Sequence, residues 1–389
     1  MNIVLFDDNA IRTSLLPLTF TRPVAEIRVG ILKISEKWAK HFEEVTFRTQ
    51  TYLVTKYPEK NFSHKFYVNG AVCPSVALLE TIQKLEKDVS LWYNDTLIAC
   101  FDLSTVQRST KKQFTEELTI IDKTWKIFKL NGAEIRSDFN LITKGRKSLA
   151  INDPHTVVYN PKNVFIEEGA SIKAAVINAE NGPVYIGKNV NIGEGTIIRG
   201  THAFCEGAVL NMGAKMRGDS TIGPYAKAGG EVSNSVIFGY SNKGHDGFLG
   251  NSVLGEWCNL GADTNTSNLK NDYGQVKIWD YQKPGFTNSG EMFCGLIMGD
   301  HSKSGINTMF NTGTVVGVSS NIFGSGFPRT FIPSFAWGGT AGFSTFLLKK
   351  AFAVAEKVME RRDVTFNDTE KEILGDVFHQ SAEHRNWEL

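Results

Sequence analysis

From Ile186 to Ile222 an apolar side chain returns at every sixth position: Ile186, Ile192, Ile198, Phe204, Leu210, Met216 and Ile222. A helix needs its apolar stripe about every 3.6 residues and a half-exposed strand alternates, so neither accounts for this period. Six residues instead make one short flat side and one corner of a parallel β-solenoid. The sixth side chain points inward, and three sides close a triangular turn. Gly187, Gly193 and Gly223 directly follow inward residues, where one backbone closely approaches the next. The same six-residue spacing recurs at Phe248, Leu254 and Leu260 and at Met298, Ser304, Phe310, Val316 and Ile322, and going backward Ile166 and Ile172 extend the repeat toward residue 164. The spacing predicts a solenoid over residues 164–335 with about eight or nine turns of roughly 18 residues, interrupted by insertions. A β-sandwich would not hold the phase over seven successive repeats.

The 389 residues, 41% of them hydrophobic, allow two or three domains. A net charge of +1 argues against a surface that coats nucleic acid, and no apolar window of about eighteen residues exists to span a membrane. Met1 to Phe6 is too short for the apolar core of a signal peptide. The five cysteines (Cys73, Cys100, Cys205, Cys258 and Cys294) are odd in number, scattered and without a CxxC pair, which fits neither a disulfide framework nor a structural zinc site. A cytoplasmic location is expected.

Residues 1–145 read as an α/β domain, because short apolar runs alternate with helical stretches. The strand candidates are Asn2–Phe6, Tyr52–Val54, Lys65–Val68 and Thr96–Ala99, and the helices Val29–His41 and Pro74–Leu85. Arg12, Arg22 and Arg28 with Lys33 and Lys37 form either a phosphate-binding cluster or a solvated basic face. Asp7 and Asp8 would repel a triphosphate unless a divalent cation lay between them, so Mg²⁺ is expected, with Asp8, Asp95 and Asn140 as candidate ligands beside Asn69 and Asp138. Each of these alone is more often a turn or cap residue. Residues 146–163 carry turn chemistry and read as a connector, and residues 336–389 as a tail with helices over Phe346–Arg361 and Thr369–Ala382.

Between the regular blocks, residues 229–250 lose the six-residue phase by two and then regain it. A polar excursion on a rigid scaffold is a natural place for a site, and His245 is the only histidine in it. Lys243-Gly244-His245-Asp246-Gly247-Phe248-Leu249-Gly250, followed by Asn259-Leu260-Gly261-Ala262-Asp263-Thr264-Asn265-Thr266-Ser267-Asn268, resembles the acetyltransferase signature of the bifunctional glucosamine-1-phosphate N-acetyltransferase/UDP-N-acetylglucosamine diphosphorylase family. Glu231, fourteen residues before the histidine, and the run from Gly299 through Gly305 to Gly317 also align with that family. The opening Leu15-Pro17-Leu18-Thr19-Thr21-Arg22-Pro23 resembles its shorter, Bacteroidetes-type form, so the resemblance covers nearly the whole chain.

The resemblance implies a nucleotidyltransferase-like (Rossmann-like) domain, then a left-handed parallel β-helix of hexapeptide repeats, then the helical tail. It implies acetyl transfer from acetyl-CoA to glucosamine-1-phosphate, then uridylyl transfer from UTP to the N-acetylated product, giving UDP-N-acetylglucosamine, in a homotrimer. In it His245 would be the general base, as an imidazole of ordinary pKa about 6.5 suits. Glu231 would orient that base or hold its charge, and Asn259 would position the substrate or polarise the thioester carbonyl. Arg217 would grip the sugar phosphate with Asn268 on the sugar, while Ala262 and Gly305 would contact coenzyme A. Phe248 stands where the family has tyrosine, and Ser233 where it has a second basic residue, so Lys227 or Lys243 would supply that charge. The glycine-rich triphosphate loop is missing, and only Arg12 and Arg22-Pro23 resemble it. Other readings are nucleotidyl transfer with another sugar or base, such as thymidylyl transfer to glucose-1-phosphate, and a non-catalytic trimeric scaffold. A zinc-dependent hydratase would need paired histidines that His202, His245 and His301 do not provide.

Overall fold

The computed structural model describes residues 2–388. Strand β1 (Asn2–Phe6), an unbroken apolar run, lies between and parallel to β2 (Glu44–Arg48) and β3 (Lys65–Asn69), with Ile3, Val4 and Leu5 fully buried. β4 (Val89–Tyr93) and β5 (Thr96–Cys100) form a hairpin that joins β3 through β5, and β6 (Thr110–Gln113) pairs in parallel with β4. Helices α1 (Asn9–Ser14), α2 (Ile34–Trp38), α3 (Val76–Gln83) and α4 (Thr124–Thr143) complete the domain.

Two local expectations change. The helix expected over Val29–His41 is only the short α2, because Gly30 at φ +86° and the bridge between Arg28 and Lys33 hold the preceding residues in a loop. Tyr52–Val54 is not a strand: Thr51–Leu53 makes a 3₁₀ turn, and the strand lies upstream in β2, whose polar and apolar residues alternate.

The solenoid is a three-walled parallel β-helix. A nine-stranded wall, which includes Val184–Ile186, His202–Phe204 and Ser220–Ile222, lies under the N-terminal domain and is called the covered wall here. A ten-stranded tail wall includes Lys227–Ala228, Asn242–Lys243, Asn259–Leu260 and Lys303–Ser304. A six-stranded open wall includes Lys215–Arg217, Glu231–Ser233 and Phe248–Gly250. Its earliest strand, Val157–Tyr159, falls inside the stretch read as a connector. All seven residues of the opening period are buried, with Ile186, Phe204 and Ile222 stacked in register. Phe248 departs from the expected phase: it is half-buried on the outside, and Leu249 points inward.

Between Thr266 and Ile297 the chain leaves the coil to form a hairpin, Lys277–Asp280 with Gly285–Asn288. Trp279 of that hairpin stacks on Phe331 at 3.9 Å, and Tyr281 meets Phe20 edge-on. The tail folds back as two helices. α5 (Leu348–Glu360) buries Ala351, Ala355 and Met359, and α6 (Asp368–Gln380) is capped by Asn367 and tied to the N-terminal domain by the Lys56–Glu370 pair at 2.6 Å. Just past α5, Arg362 donates to Asn242 Oδ1 of the tail wall at 3.0 Å.

The two large units are locked by buried charge. Arg22 pairs with Asp300, and its Nη1 lies 3.3 Å from Glu256. Asp300 also accepts from the Thr21 hydroxyl at 2.6 Å and from the Glu256 amide at 2.8 Å. Burial alone would raise the Glu256 pKa, but Arg22 with three lysine and arginine neighbours brings it down to about 2. Removing one partner of such a pair leaves the others buried without counter-charge. Arg22→Met should therefore cost about 3–5 kcal/mol, read by guanidinium denaturation. A loss below about 1 kcal/mol would show that the lock contributes little.

Candidate active site

From Ile186 to Ile222 each coil of the covered wall takes 18 residues, as the register Ile186–Phe204–Ile222 shows. The next two steps, Ile222 to Ile237 and Ile237 to Leu254, take 15 and 17. The lost residues come partly from the corner between the tail and open walls, which shrinks to Gly229-Gly230, while the corner stacked on it keeps Gly244 to Gly247. A Cβ on Gly229 would lie 2.3 Å from the Gly244 carbonyl oxygen, and one on Gly247, at φ +108°, 2.3 Å from that of Thr264. Only glycine allows this stacking. His245 stands exposed at the tip of the longer corner.

Lys243, expected to supply charge to a substrate, does something else. It occupies the inward position of the tail wall, is 1% exposed, and donates to the carbonyls of Gly229 (3.0 Å) and His245. The amine satisfies acceptors in the two mismatched corners. Burial pushes its pKa down to about 8, against the opposing pull of Asp246 and Asp263. It therefore positions the His245 backbone and cannot reach a ligand outside the coil.

His245 and Asn259 open into one cavity of about 640 Å³. Along its floor Lys227, Asn242, Asn259 and Lys303 follow one another in register on the tail wall, and Arg361 and Arg362 close it from the end of α5. Lys303 donates to the His301 carbonyl at 2.9 Å, and burial lowers its pKa to about 8. Cys258 also lines the cavity, but burial pushes its thiol up to about 12, which makes it a poor nucleophile. Sequence reasoning missed Lys303, Arg361 and Arg362. For the lysine a signal existed: Lys227, Asn242, Asn259 and Lys303 each directly precede an inward residue.

The remaining acetyltransferase candidates divide between neighbouring surfaces. Arg217 and Glu231 lie on the open wall, where they pair at 3.2 Å, and neither lines the cavity. Phe248 follows Glu231 in register, and Asn268 donates to Asn251 Oδ1 at 2.8 Å. Ala262 and Gly305 belong to the corner that carries His245, one and two coils further on: Asp263 bonds the Asp246 carbonyl at 3.1 Å, and Asn307 the Ala262 carbonyl at 2.9 Å. His245 thus stands where the wall bearing Arg217, Glu231 and Asn268 meets the wall bearing Asn259.

In the N-terminal domain the charged candidates are engaged internally. Arg12 is buried and bonds Asp7 (3.0 Å), Tyr52 (2.8 Å) and the carbonyls of Arg22 and Thr19, while Arg22 belongs to the interdomain lock. Asp7 is held by Arg12, by Thr49 at 2.5 Å and by the Val24 amide at 2.8 Å. Lys37 pairs with Glu134 and Asp138, Lys33 with Glu26, and Arg28 bonds the Ile31 carbonyl. Neither arginine is therefore free to take a phosphate, and Asp7 does not face one. The expected metal ligands do not converge either. Asp8 caps α1, Asp95 sits exposed in the turn between β4 and β5, and Asn140 lies exposed on α4. Among the described residues no group of three or more His, Cys, Asp or Glu could hold a metal ion, so this set does not fit Mg²⁺.

The chain joins an α/β domain to a parallel β-helix whose corner histidine opens into a cationic cavity. Residues 3–147 match the family model described as sugar nucleotidyl transferase. The chain is similar to bifunctional GlmU proteins: it is 37% identical over 87 residues to that of Methanocaldococcus jannaschii, covering 22% of this chain and 21% of the relative. It is 35% identical over 92 residues to GlmU of Methanococcus maripaludis, covering 24% and 22%. With a bifunctional sugar-1-phosphate nucleotidylyltransferase/acetyltransferase of Sulfurisphaera tokodaii it shares 34% over 93 residues, covering 24% and 23%. The chain thus spans about a fifth of the length of these curated relatives. Among solved structures, the polysialic-acid-specific acetyltransferase NeuO covers 54% of this chain and 99% of its own at 15% identity, with a TM-score of 0.30.

Lys243 and Lys303 make stability depend on alkaline pH. With folded pKa values near 8 against an ordinary 10.5, the unfolded chain binds more protons at these two groups between those values, so their contribution to stability should rise as pH climbs from about 8 to 10.5, while the buried cysteines, whose thiols burial pushes up, act in the opposite sense. Lys243→Met removes its share of that rise. Denaturant titrations at about pH 7.5 and pH 10 read the difference, and an undiminished rise in the variant would place the Lys243 amine in water.

Proposed function

We propose that this chain is a two-headed transferase of sugar-nucleotide synthesis. The β-helix moves an acetyl group from acetyl-CoA to the amine of glucosamine-1-phosphate, and the N-terminal domain moves a uridylyl group from UTP to N-acetylglucosamine-1-phosphate, giving UDP-N-acetylglucosamine. The observation that carries the reading is the convergence of His245 and Asn259 on one cavity lined by Lys227, Lys303, Arg361 and Arg362. The family match over residues 3–147 and the similarity to bifunctional relatives support the nucleotidyl half.

In the acetyl step the substrate amine bonds to the thioester carbonyl carbon while His245 takes its proton. The oxyanion that forms accepts a hydrogen bond from the Asn259 amide. Collapse breaks the carbon–sulfur bond, and the leaving thiolate takes the proton back from the imidazolium. Glu231 lies on the adjacent wall with Arg217, and we assign Arg217 and Asn268 to the sugar-phosphate side of the corner, Ala262 and Gly305 to the coenzyme side.

A homotrimer is part of the same proposal. Met212 and Ile306 are 77% and 71% exposed on the corner that carries His245, on either side of it, which is an unusual cost for a surface unless another subunit covers it. All five cysteines are free and buried, which suits a reducing cytoplasm, and among the described residues no helix is long and apolar enough to cross a membrane. The uridylyl half would use a divalent cation carried by the nucleotide phosphates. The engagement of Arg12 and Arg22 favours a second reading in which acetyl transfer is the only chemistry.

Purified protein incubated with glucosamine-1-phosphate, acetyl-CoA, UTP and magnesium, with products identified by mass, tests both halves. Absence of both N-acetylglucosamine-1-phosphate and UDP-N-acetylglucosamine would end the acetyl reading; accumulation of the first without the second would favour the second reading. His245→Ala should lower acetyl turnover by about 10²- to 10⁴-fold with the fold retained, followed by thiol release. Light scattering at micromolar concentration should give three times the chain mass, and a fully active monomer would remove the trimer.

A further inference from the structure

The cavity beside His245 has a charge balance that its chemistry as a base does not require. Lys227 and Lys303 stand at the two ends of one register line, with Asn242 and Asn259 between them. Three strand spacings of about 4.8 Å separate the lysines, so the floor is roughly 14 Å long. Arg361 and Arg362 face it from the end of α5. The lining includes no carboxylate. Among the described residues, none of these four cations lies in ion-pair contact with an acidic group, whereas Arg22, Lys33, Lys37 and Arg146 elsewhere in the chain all do.

Arg362 is held on the floor by Asn242, Lys303 by the His301 carbonyl, and among the described residues no side-chain hydrogen bond occupies Lys227 or Arg361. The tail wall and the end of α5, distant in the chain, therefore present held and free cationic donors to one cavity. Asparagine amides between them add neutral donors. Guanidinium and ammonium groups arranged in this way match phosphate oxygens.

We infer that Lys227, Lys303, Arg361 and Arg362 form a phosphate clamp, so that docking of the tail helix on its own solenoid completes the binding site for an organic phosphate. The inference rests on the acetyl-transfer reading only for the identity of that ligand. A sugar phosphate and the phosphates of coenzyme A share the recognised group, and the floor is long enough for either.

Calorimetry with pyrophosphate, coenzyme A, 3′-dephospho-coenzyme A and glucosamine-1-phosphate tests the clamp without any turnover. Wild-type protein should bind pyrophosphate with an affinity that falls steeply with salt, and Arg361→Gln and Lys227→Met should each weaken it by about tenfold or more. Both residues lack structural bonds, so melting temperatures should stay within a few degrees of wild type. Weakened coenzyme A binding, with dephospho-coenzyme A affected less, assigns the clamp to the coenzyme; weakened glucosamine-1-phosphate binding alone assigns it to the sugar. Unchanged affinity for every probe in both folded variants overturns the clamp, as does failure of the wild type to bind any of them. Phosphate binding without acetyl transfer leaves the clamp standing and removes the acetyl reading. Acetyl transfer with unchanged KM for both substrates in the two variants does the reverse.

Discussion

In a parallel β-helix the strands hydrogen-bond only to the coils before and after, so each inward side chain must sit on the one below, whatever the corners do. Here the coil drops from 18 residues to 15 and then 17 around Ile237 while the inward column Ile222, Ile237 and Leu254 stays stacked. The mismatch has to be absorbed at corners. One corner contracts to Gly229-Gly230 and its neighbour keeps four residues, so their carbonyls fall out of the repeating bond pattern. A lysine placed in an apolar column is otherwise costly, but Lys243 answers two of those carbonyls with one amine. The geometry that displays His245 is therefore fixed from inside the coil.

The covered wall explains why the N-terminal cations are engaged. Thr221 donates to the Gly30 carbonyl at 2.9 Å, Asn131 on α4 donates to the Asp219 carbonyl at 3.1 Å, and Arg28 reaches Cys205, so the domain is seated on the solenoid by polar contacts as well as apolar ones. Buried polar groups at such a seam need partners, and the arginines and lysines of the first 40 residues supply them. The tail meets that wall at its far end, where His384 packs edge-on against Phe331, and α5 ends over the tail wall beside His245.

The solenoid was legible because its inward residues are read at a fixed interval and need no knowledge of distant contacts. That reading failed at Phe248, where two coils of unequal length make counting by six overshoot by one and Leu249 takes the inward place. His245 and Asn259 were found through a local pattern. Arg22 was misread because its partner Asp300 is 278 residues away, and Lys37 because Asp138 is 101 away: a sequence displays charges but not which of them meet. The same blindness hid Arg361 and Arg362, which belong to the site only because α5 folds back. Lys243 shows the opposite error, since a lysine read as a surface charge occupies the core.

The chain carries a net charge of only +1, so four unpaired cations around one cavity are a local imbalance and not an overflow of a basic protein. Two such charges ~10 Å apart at an effective dielectric of ~20 repel by about 1–2 kcal/mol, and several such pairs act at once. Lys303 adds a separate cost, since burial lowers its pKa to about 8 and no carboxylate lines the cavity to offset it. A fold that could place Asp300 opposite Arg22 and Asp138 opposite Lys37 had acids available for the same purpose here. Their absence leaves the charge to be balanced by whatever enters, and a phosphate arriving next to His245 would bring with it both the missing counter-charge and the oxygen acceptors that the free donors lack.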